Sequence, residues 1–186
     1  MSQAGSKART SPAFQAFRSF IGEARLPPDR LIASPDQCQQ MSQADGLEEL
    51  HDGPVENSAT TSAAARGTVV LGQIAQAARR LWVVAEDEVL HAEEMCGFGK
   101  SLQSGVIKHT NLTGGAPAYS GGEMVMLDEK TMVINGQSGR YGPRSERELD
   151  AAAKAFRQSG YHVWCMGYDN EAGYPLPFGV MPRWVV

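Results

Sequence analysis

A capped amphipathic helix followed directly by an apolar run, in residues 145–166, constrains the fold of this chain more than any other feature. Ser145 and Glu148 have the spacing of a capping box, in which each side chain bonds a free backbone amide at the start of a helix. Gly160 suits the left-handed position that ends a helix. The apolar face of the helix consists of Leu149, Ala152, Ala153 and Phe156. Residues 161–166 then predict a strand, so the sequence predicts a helix packed on a sheet.

Two pairs of short apolar runs precede this helix. Residues 81–92 and residues 123–134 each contain two such runs around a polar turn, which predicts two β-hairpins. We therefore predict an α+β fold, with a mainly antiparallel sheet built from two hairpins and a C-terminal strand and packed by one or two helices. A further short helix is predicted at residues 71–78. The Gly- and Pro-rich residues 169–186 are predicted to wrap over the sheet, with an edge strand at 180–186.

Residues 1–66 differ in composition from the rest of the chain. Ser, Gln, Ala, Pro and Asp dominate, and residues 57–66 form a low-complexity run. Such a composition buries too little apolar surface to offset the entropy lost on ordering. We therefore predict a largely disordered arm at 1–66 and a single α+β domain at 67–186. One helical face of the arm is apolar, which fits a transient helix or a docking peptide for a chaperone, carrier or secretion machine; its residues are Phe14, Phe17, Phe20 and Ile21.

The composition of the chain argues against several classes of protein. Its 186 residues include 17 Lys and Arg and 21 Asp and Glu, for a formal net charge of −4, so the chain as a whole does not attract nucleic acid. It contains no apolar stretch of the length that a membrane-spanning helix needs, and its first residues lack the apolar core of a Sec signal. The three cysteines form no Cys-x-x-Cys pair, which argues against a disulfide framework or a structural zinc site. We expect no membrane contact, no metal and no resident cofactor.

Polar residues and glycines are densest in three segments, at residues 108–115, 120–123 and 135–143. Glycine lets a ligand approach the backbone closely, so the three segments together predict a functional cleft. The candidate catalytic residues are His109, Glu123 and Tyr141, and the candidate substrate-binding residues are Lys108, Thr110, Ser138 and Arg140. An imidazole serves as a general acid or base near neutral pH, and a guanidinium binds phosphate or carboxylate. For each residue taken singly, the alternative is a structural role in a turn or at a strand end.

The order of these residues resembles a known module. The series consists of His109-Thr110, Gly114-Gly115, Gly122-Glu123 and Ser138-Gly-Arg-Tyr141-x-Pro143. It is similar to a Lys-His-Ser, Gly-Gly, Ala-Gly-Glu and Ser-Gly-His-Tyr-x-Pro series in C-terminal regions of bacterial polymorphic toxins and secreted effectors. A similar series occurs in the C-terminal part of plant IQ-motif calmodulin-binding proteins. The resemblance covers residues 108–156, about a quarter of the chain. Arg140 stands where the usual form has His, and no IQ helix is evident, so the plant role is not carried over.

This resemblance implies a toxin or effector domain that is present in the bacterial cytoplasm before a specialised secretion system delivers it. One metal-independent reaction that fits the candidate residues is RNA cleavage. His109 would then be the general acid or base, and Tyr141 would stack a base. Lys108 and Arg140 would hold the scissile phosphate.

ADP-ribosyl transfer, with NAD as a substrate, is the second reaction that fits. His109 would hold the nicotinamide ribose and Tyr141 would pack on the nicotinamide. Glu123 or Glu171 would stabilise the oxocarbenium-like centre.

The alternative to an enzyme is a non-catalytic protein-binding module of a secreted effector. The glycine-rich segments would then be rigid loops that present Tyr119, Arg140 and Tyr141 to a protein partner. Chaperones, immunity proteins and host targets are the partners to consider, and the acidic balance favours a basic surface on the partner. An immunity or adaptor protein is a third hypothesis that the net charge allows.

Overall fold

The computed structural model describes residues 11–52, 79–179 and 182–186, which contain one large and one small β-sheet. The strands are β1 (Glu48–Glu49), β2 (Arg80–Val84), β3 (Val89–Glu93), β4 (Ser120–Met126), β5 (Thr131–Ile134), β6 (His162–Cys165), β7 (Tyr168–Asp169), β8 (Tyr174–Pro175) and β9 (Arg183–Trp184). The large sheet has the order β1-β3-β2-β4-β5-β6-β9, and β7 pairs with β8. Among the described strands of the large sheet, only the pair β5 and β6 is parallel.

Four α-helices accompany the sheet in the described part of the chain. They are α1 (Pro12–Ile21), α2 (Gly97–Ser101), α3 (His109–Thr113) and α4 (Glu146–Gln158). Both predicted hairpins are present as β2-β3 and β4-β5, and β6 is the strand predicted after the long helix. β9 is an edge strand beside β6, as predicted, although residues 180 and 181 lie outside the described residues. The α+β fold with a mainly antiparallel sheet is therefore confirmed.

The predicted start and end of α4 match the structure closely. Ser145 is the N-cap residue, and its Oγ accepts a hydrogen bond from the backbone N of Glu148 at 3.2 Å. In a capping box, the Glu148 carboxylate would accept from the backbone N of the N-cap residue, Ser145. Here it accepts instead from the backbone N of the preceding residue, Arg144, at 2.9 Å. Gly160 has a φ of +99°, the left-handed conformation predicted for it. These local signals mark the two ends of the helix.

One face of the sheet is covered by α1 and α4. Aromatic rings link the two helices to β2, since the ring centroids of Phe14 and Phe156 are 5.0 Å apart and those of Phe156 and Trp82 are 5.2 Å apart. Both pairs meet edge to face, an arrangement that the ring quadrupoles favour. All three side chains are at most 1% exposed, so α1 is part of the core.

The prediction of a disordered arm at 1–66 is wrong for residues 11–52. Phe14 and Phe17 bury their rings in the domain core, with exposures of 1% and 3%. Arg18 of the same helix donates to the carbonyl oxygens of Ala85 at 2.8 Å and Glu88 at 3.1 Å. The apolar face that suggested a docking peptide therefore packs on this chain's own domain. The rest of the predicted arm, the boundary at 66 and the predicted helix at 71–78 lie outside the described residues.

Residues 23–50 are held mainly by polar contacts, which is why their composition was misleading. The backbones of Arg25 and Ala118 exchange hydrogen bonds of 2.8 and 2.9 Å. Further along, Asn111 of α3 donates through Nδ2 to the carbonyl oxygens of Asp36 and Gln39, both at 2.9 Å. A buried backbone carbonyl needs a hydrogen-bond donor, and α3 supplies these donors. A segment with few apolar residues is thus ordered by donors from another part of the chain.

The second face of the sheet packs against α3. Leu81 and Val83 of β2 contact Ile107 and Leu112 in an apolar cluster that also contains Tyr141. This face therefore carries the segments in which the sequence predicts a functional site. Among the described residues, no helix is both long and apolar enough to cross a bilayer.

Candidate functional site

Gly121 of β4 is the point at which the three glycine-rich segments meet. A Cβ atom added to it would lie 3.2 Å from Cβ of Tyr141 and 3.4 Å from Cδ2 of His109. His109 comes from the first segment and Tyr141 from the third. The structure thus brings two of the three candidate catalytic residues together, over a residue that has no side chain.

The imidazole of His109 is buried beside Gly121. Its side chain is 7% exposed, and Nε2 lies 2.8 Å from the carbonyl oxygen of Gly122. A carbonyl oxygen only accepts, so Nε2 carries the proton in this contact. Burial lowers the pKa of His109 from 6.5 to about 4, and the nearby charges of Arg140 and Lys108 act in the same direction. His109 is therefore neutral at pH 7, with one nitrogen committed to the backbone of β4.

Tyr141 is equally enclosed. It is 1% exposed, and its hydroxyl donates to the carbonyl oxygen of Ala116 at 2.8 Å and lies 2.9 Å from Oγ1 of Thr113. Burial raises the pKa of Tyr141. Its ring packs in the apolar cluster below α3, so it has no free face on which a base or nicotinamide could stack. The prediction that Tyr141 is presented to a ligand or partner is therefore wrong.

Thr110 and Arg140 tie the N-terminal segment to the domain. Thr110 is fully buried, and its hydroxyl donates to the carbonyl oxygen of Gln37. Nη2 of Arg140 donates to the carbonyl oxygen of Leu31 and to Oε1 of Gln37, the latter at 3.0 Å. Both residues were predicted to bind substrate, and both use these groups to hold residues 31–37.

Glu123 has partners outside the His109 cluster. Its carboxylate accepts from Nδ2 of Asn135 at 2.9 Å and lies 3.4 Å from Nη1 of Arg79. Burial raises the pKa of Glu123, against the opposing effects of Asn135 and Arg79. The structure therefore shows no contact between Glu123 and the His109 imidazole, with which it was predicted to act.

Lys108 precedes α3, where its backbone N donates to Oδ1 of Asn111 at 2.7 Å.

An open groove of about 620 Å³ lies beside the third glycine-rich segment, and we call it the Arg140 groove. Its lining includes Ser138 and Arg140 from that segment and Tyr174 and Pro175 from the β8 hairpin. Gln137 links these two parts of the lining, because its Nε2 donates to the carbonyl oxygen of Pro175. Two of the four predicted substrate-binding residues thus line an open groove. Oγ of Ser138 also accepts from the backbone N of Tyr141 at 3.1 Å, which fixes this wall.

Arg25 and Tyr174 also line the groove, and neither was predicted as a site residue. Arg25 follows α1 in a segment predicted to be disordered, and Tyr174 belongs to a stretch predicted to be coil. The position of Arg25 depends on residues more than ninety positions away, since its Nη1 donates to the carbonyl oxygen of Gly142 at 3.3 Å and its Nη2 to that of Tyr119 at 3.0 Å. Local sequence patterns contain no signal for such contacts.

A second cavity of about 550 Å³ lies at the β1 edge of the sheet and has the opposite charge. It is lined by one arginine, Arg80, and by five carboxylates: Glu48, Glu49, Glu93, Asp128 and Glu129. Arg80 donates through Nε to Nδ1 of His91 at 2.9 Å and pairs through Nη2 with Glu48 at 2.8 Å. Burial, and then Arg80, lower the pKa of His91 to about 4. We call this the acidic cavity.

The described residues contain no group of three or more His, Cys, Asp or Glu side chains that could hold a metal ion. Comparison of the chain with protein-family models, curated proteins and solved structures found no match. The functional interpretation therefore depends on the geometry of the groove and of the residues around it.

Proposed function

We propose that this chain is a non-catalytic protein-binding module of the toxin or effector type, and that the Arg140 groove contacts its partner. The observation that supports the proposal is that two of the three predicted catalytic residues are buried while the neighbouring wall is open. His109 and Tyr141 are closed off by backbone contacts, whereas the adjoining wall with Ser138 and Arg140 faces an open groove of about 620 Å³. Open, preformed grooves are the usual place for ligand contacts.

Catalysis by His109 has less support than binding. A general acid or base must reach the proton that it transfers and must titrate near the working pH. The His109 ring is buried, its Nε2 proton is engaged by Gly122, and its pKa is about 4. RNA cleavage needs this imidazole as its general acid or base, and ADP-ribosyl transfer needs it to hold the nicotinamide ribose. The binding hypothesis makes no demand on it.

The wall of the groove is rigid, which favours binding. A Cβ atom on Gly142 would lie 2.4 Å from the carbonyl oxygen of Ser138, and one on Gly136 would lie 2.5 Å from Cγ of Pro143. Backbone packed this tightly is already in place before a ligand arrives, so little conformational entropy is lost on binding.

Two large apolar side chains line the groove and are exposed. Leu26 is 68% exposed and Tyr174 is 48% exposed, and both line the groove. Exposed tyrosine and leucine beside arginine form the kind of surface that protein partners contact. In this proposal, the buried His109 and Tyr141 support the wall, and the residues that line the groove make the contact.

A site-specific photo-crosslinker tests the proposal in cells that produce the full chain. Tyr174 is replaced by p-benzoylphenylalanine, and a matched variant carries the same group at Phe20, which is 40% exposed and does not line the groove. We expect a discrete protein adduct from position 174 only. Gly139→Trp should abolish that adduct by filling the groove, since Gly139 is exposed and nothing but Cδ1 of Leu31 lies within 4 Å of an added Cβ.

Gly97→Trp is the matched control for the filling variant, because Gly97 is exposed and, among the described residues beyond its own helix and chain neighbours, no atom lies within 4 Å of an added Cβ. It should leave the adduct unchanged. Equal adducts from positions 174 and 20, no adduct from position 174, or an adduct that survives Gly139→Trp would each refute the assignment of the groove.

A further inference from the structure

We propose that the Arg140 groove binds an acidic peptide segment of its partner protein, an inference that depends on the groove being a protein-binding surface. The argument begins with the sign of the charge. Arg25 and Arg140 line the groove, and none of its lining residues in the described part of the chain is Asp or Glu. This surface therefore differs from the whole chain, whose formal net charge is −4, and from the acidic cavity at the β1 edge.

Arg140 carries a charge that no carboxylate balances within the described residues. Its protein acceptors are both neutral, namely the carbonyl oxygen of Leu31 and Oε1 of Gln37. Its Nε is buried and has no acceptor among the described residues. Burial lowers the pKa of Arg140, and no carboxylate acts to raise it. A half-buried cation without a counter-charge has lost part of its hydration, so a carboxylate brought by a ligand would be stabilised here.

Arg25 adds a second, only partly balanced charge. Its Nη2 lies 3.6 Å from Oε2 of Glu148 and donates to the carbonyl oxygen of Tyr119 at 3.0 Å. The same carboxylate of Glu148 accepts from Arg144 through Nε at 3.0 Å and Nη2 at 2.8 Å. One carboxylate is thus shared by two guanidiniums, which leaves a positive surplus at this end of the groove.

The walls indicate which kind of anionic ligand fits. The groove has apolar sides, and no lysine lines it among the residues that the structure describes; the apolar lining residues include Leu26, Pro28, Pro143 and Pro175. A polynucleotide needs a longer row of cations for its phosphates, and the negative net charge of the chain opposes it. A peptide with alternating acidic and apolar side chains satisfies both the arginines and the apolar walls. Electrostatic complementarity of this kind selects partners and increases the rate of association.

Fluorescence anisotropy with defined peptides tests the inference on the full chain. The probe is a short labelled peptide of alternating Glu and Leu, and its counterparts replace Glu with Gln or with Lys. We expect the Glu peptide to bind at least about tenfold more tightly than the Gln peptide, and the difference to shrink as salt is added. The Lys peptide should not bind in the groove.

A pair of variants at one position isolates the charge. Gly139 tolerates a side chain, since its Cβ position meets only Cδ1 of Leu31, at 3.3 Å. Gly139→Glu should weaken binding of the Glu peptide by about tenfold, whereas Gly139→Gln should leave it nearly unchanged. Gly97→Glu adds the same charge away from the groove and should have little effect. Arg140→Gln should also abolish the preference for Glu over Gln, with its melting temperature measured to show that it folds.

Several results would overturn the inference. These are equal binding of the Glu and Gln peptides, no peptide binding at all, an equal loss in Gly139→Glu and Gly139→Gln, and tighter binding of single-stranded RNA than of the Glu peptide in the same groove. Binding of the Lys peptide alone would assign recognition to the acidic cavity and overturn it too. Failure of the proposed function is recognised separately, by the photo-crosslinking at position 174, which does not depend on the ligand's charge.

Discussion

Replacing Asn111 with alanine tests whether residues 35–41 are part of the fold. Asn111 is fully buried in α3. Its Nδ2 donates to the carbonyl oxygens of Asp36 and Gln39, and its Oδ1 accepts from the backbone N of Lys108. Asn111→Ala therefore leaves three backbone groups without their partners.

The magnitude follows from these three groups. A buried polar group left unsatisfied costs about 1–3 kcal/mol, so three groups set a range of about 3–9 kcal/mol. Water can reach part of this region, because Asp36 is half-buried and Gln39 is exposed, which places the cost near the lower end. We expect a loss of about 3–5 kcal/mol in the free energy of unfolding. A loss of 3 kcal/mol lowers the melting temperature by about 6–12 °C in a chain of this size.

Urea denaturation followed by tryptophan fluorescence measures this loss, because Trp82 and Trp164 lie in the core. Asn170→Ala is the control, since Asn170 is exposed and its side chain donates one bond, to Oε2 of Glu146 at 2.7 Å. The control should change stability by less than about 0.5 kcal/mol. Limited proteolysis of Asn111→Ala should also cut first within residues 22–47. A loss of less than about 1 kcal/mol with unchanged proteolysis would refute the view that α3 holds this segment.

Two further predictions concern the buried histidines and α1. In the folded chain, the pKa values of His91 and His109 are lowered from 6.5 to about 4. Between pH 6.5 and pH 4 the unfolded chain therefore binds more protons than the folded chain, so the free energy of unfolding falls as the pH drops through this range. Each histidine contributes about 3 kcal/mol to that fall. Urea denaturation at pH 7 and pH 4 should therefore show a smaller fall in the free energy of unfolding for His109→Gln than for the wild type. Phe14→Ala should cost about 3–5 kcal/mol because it leaves a cavity between α1 and α4, whereas Phe20→Ala, at an exposed ring, should cost less than about 1 kcal/mol. Equal effects of the two Phe variants in urea denaturation would contradict the packing of α1 in the core.

Local signals in the sequence were enough to predict most of the sheet and its long helix. Ser145 and Gly160 mark the ends of α4, and the turns within residues 81–92 and 123–134 connect strands that are neighbours in the chain. The parallel pairing of β5 with β6 was not predicted, because it joins strands separated by a helix. A prediction from local pattern succeeds where the contacts are local.

The same reasoning explains the errors at the N-terminus. Low apolar content correctly indicates that residues 23–50 cannot build a core of their own. It does not indicate that another part of the chain offers buried donors, as Thr110 and Arg140 do for the carbonyl oxygens of Gln37 and Leu31. Interactions of this kind are invisible in either segment alone.

The candidate site was predicted in part. The glycine-rich segments converge in the structure where His109, Gly121 and Tyr141 meet and where the Arg140 groove opens, and their role as a site stays a prediction. Which polar side chains face a ligand and which hold the backbone could not be predicted, because both uses require the same residue types. Thr110 could bind a phosphate as readily as it binds a carbonyl, and only the packing of residues 31–37 decides between them.

Both margins of the large sheet end in strands of two residues, β1 at one side and β9 at the other. Strands this short offer few free amide and carbonyl groups, so further strands have little to join. A chain shortened to begin at residue 79 would lose β1 and expose the edge of β3, which has five residues. The exposed edge of β3 would then be free to pair with a strand of another copy of the chain. Such a truncated protein should precipitate or form multimers, so soluble material for any of these experiments requires the N-terminal residues.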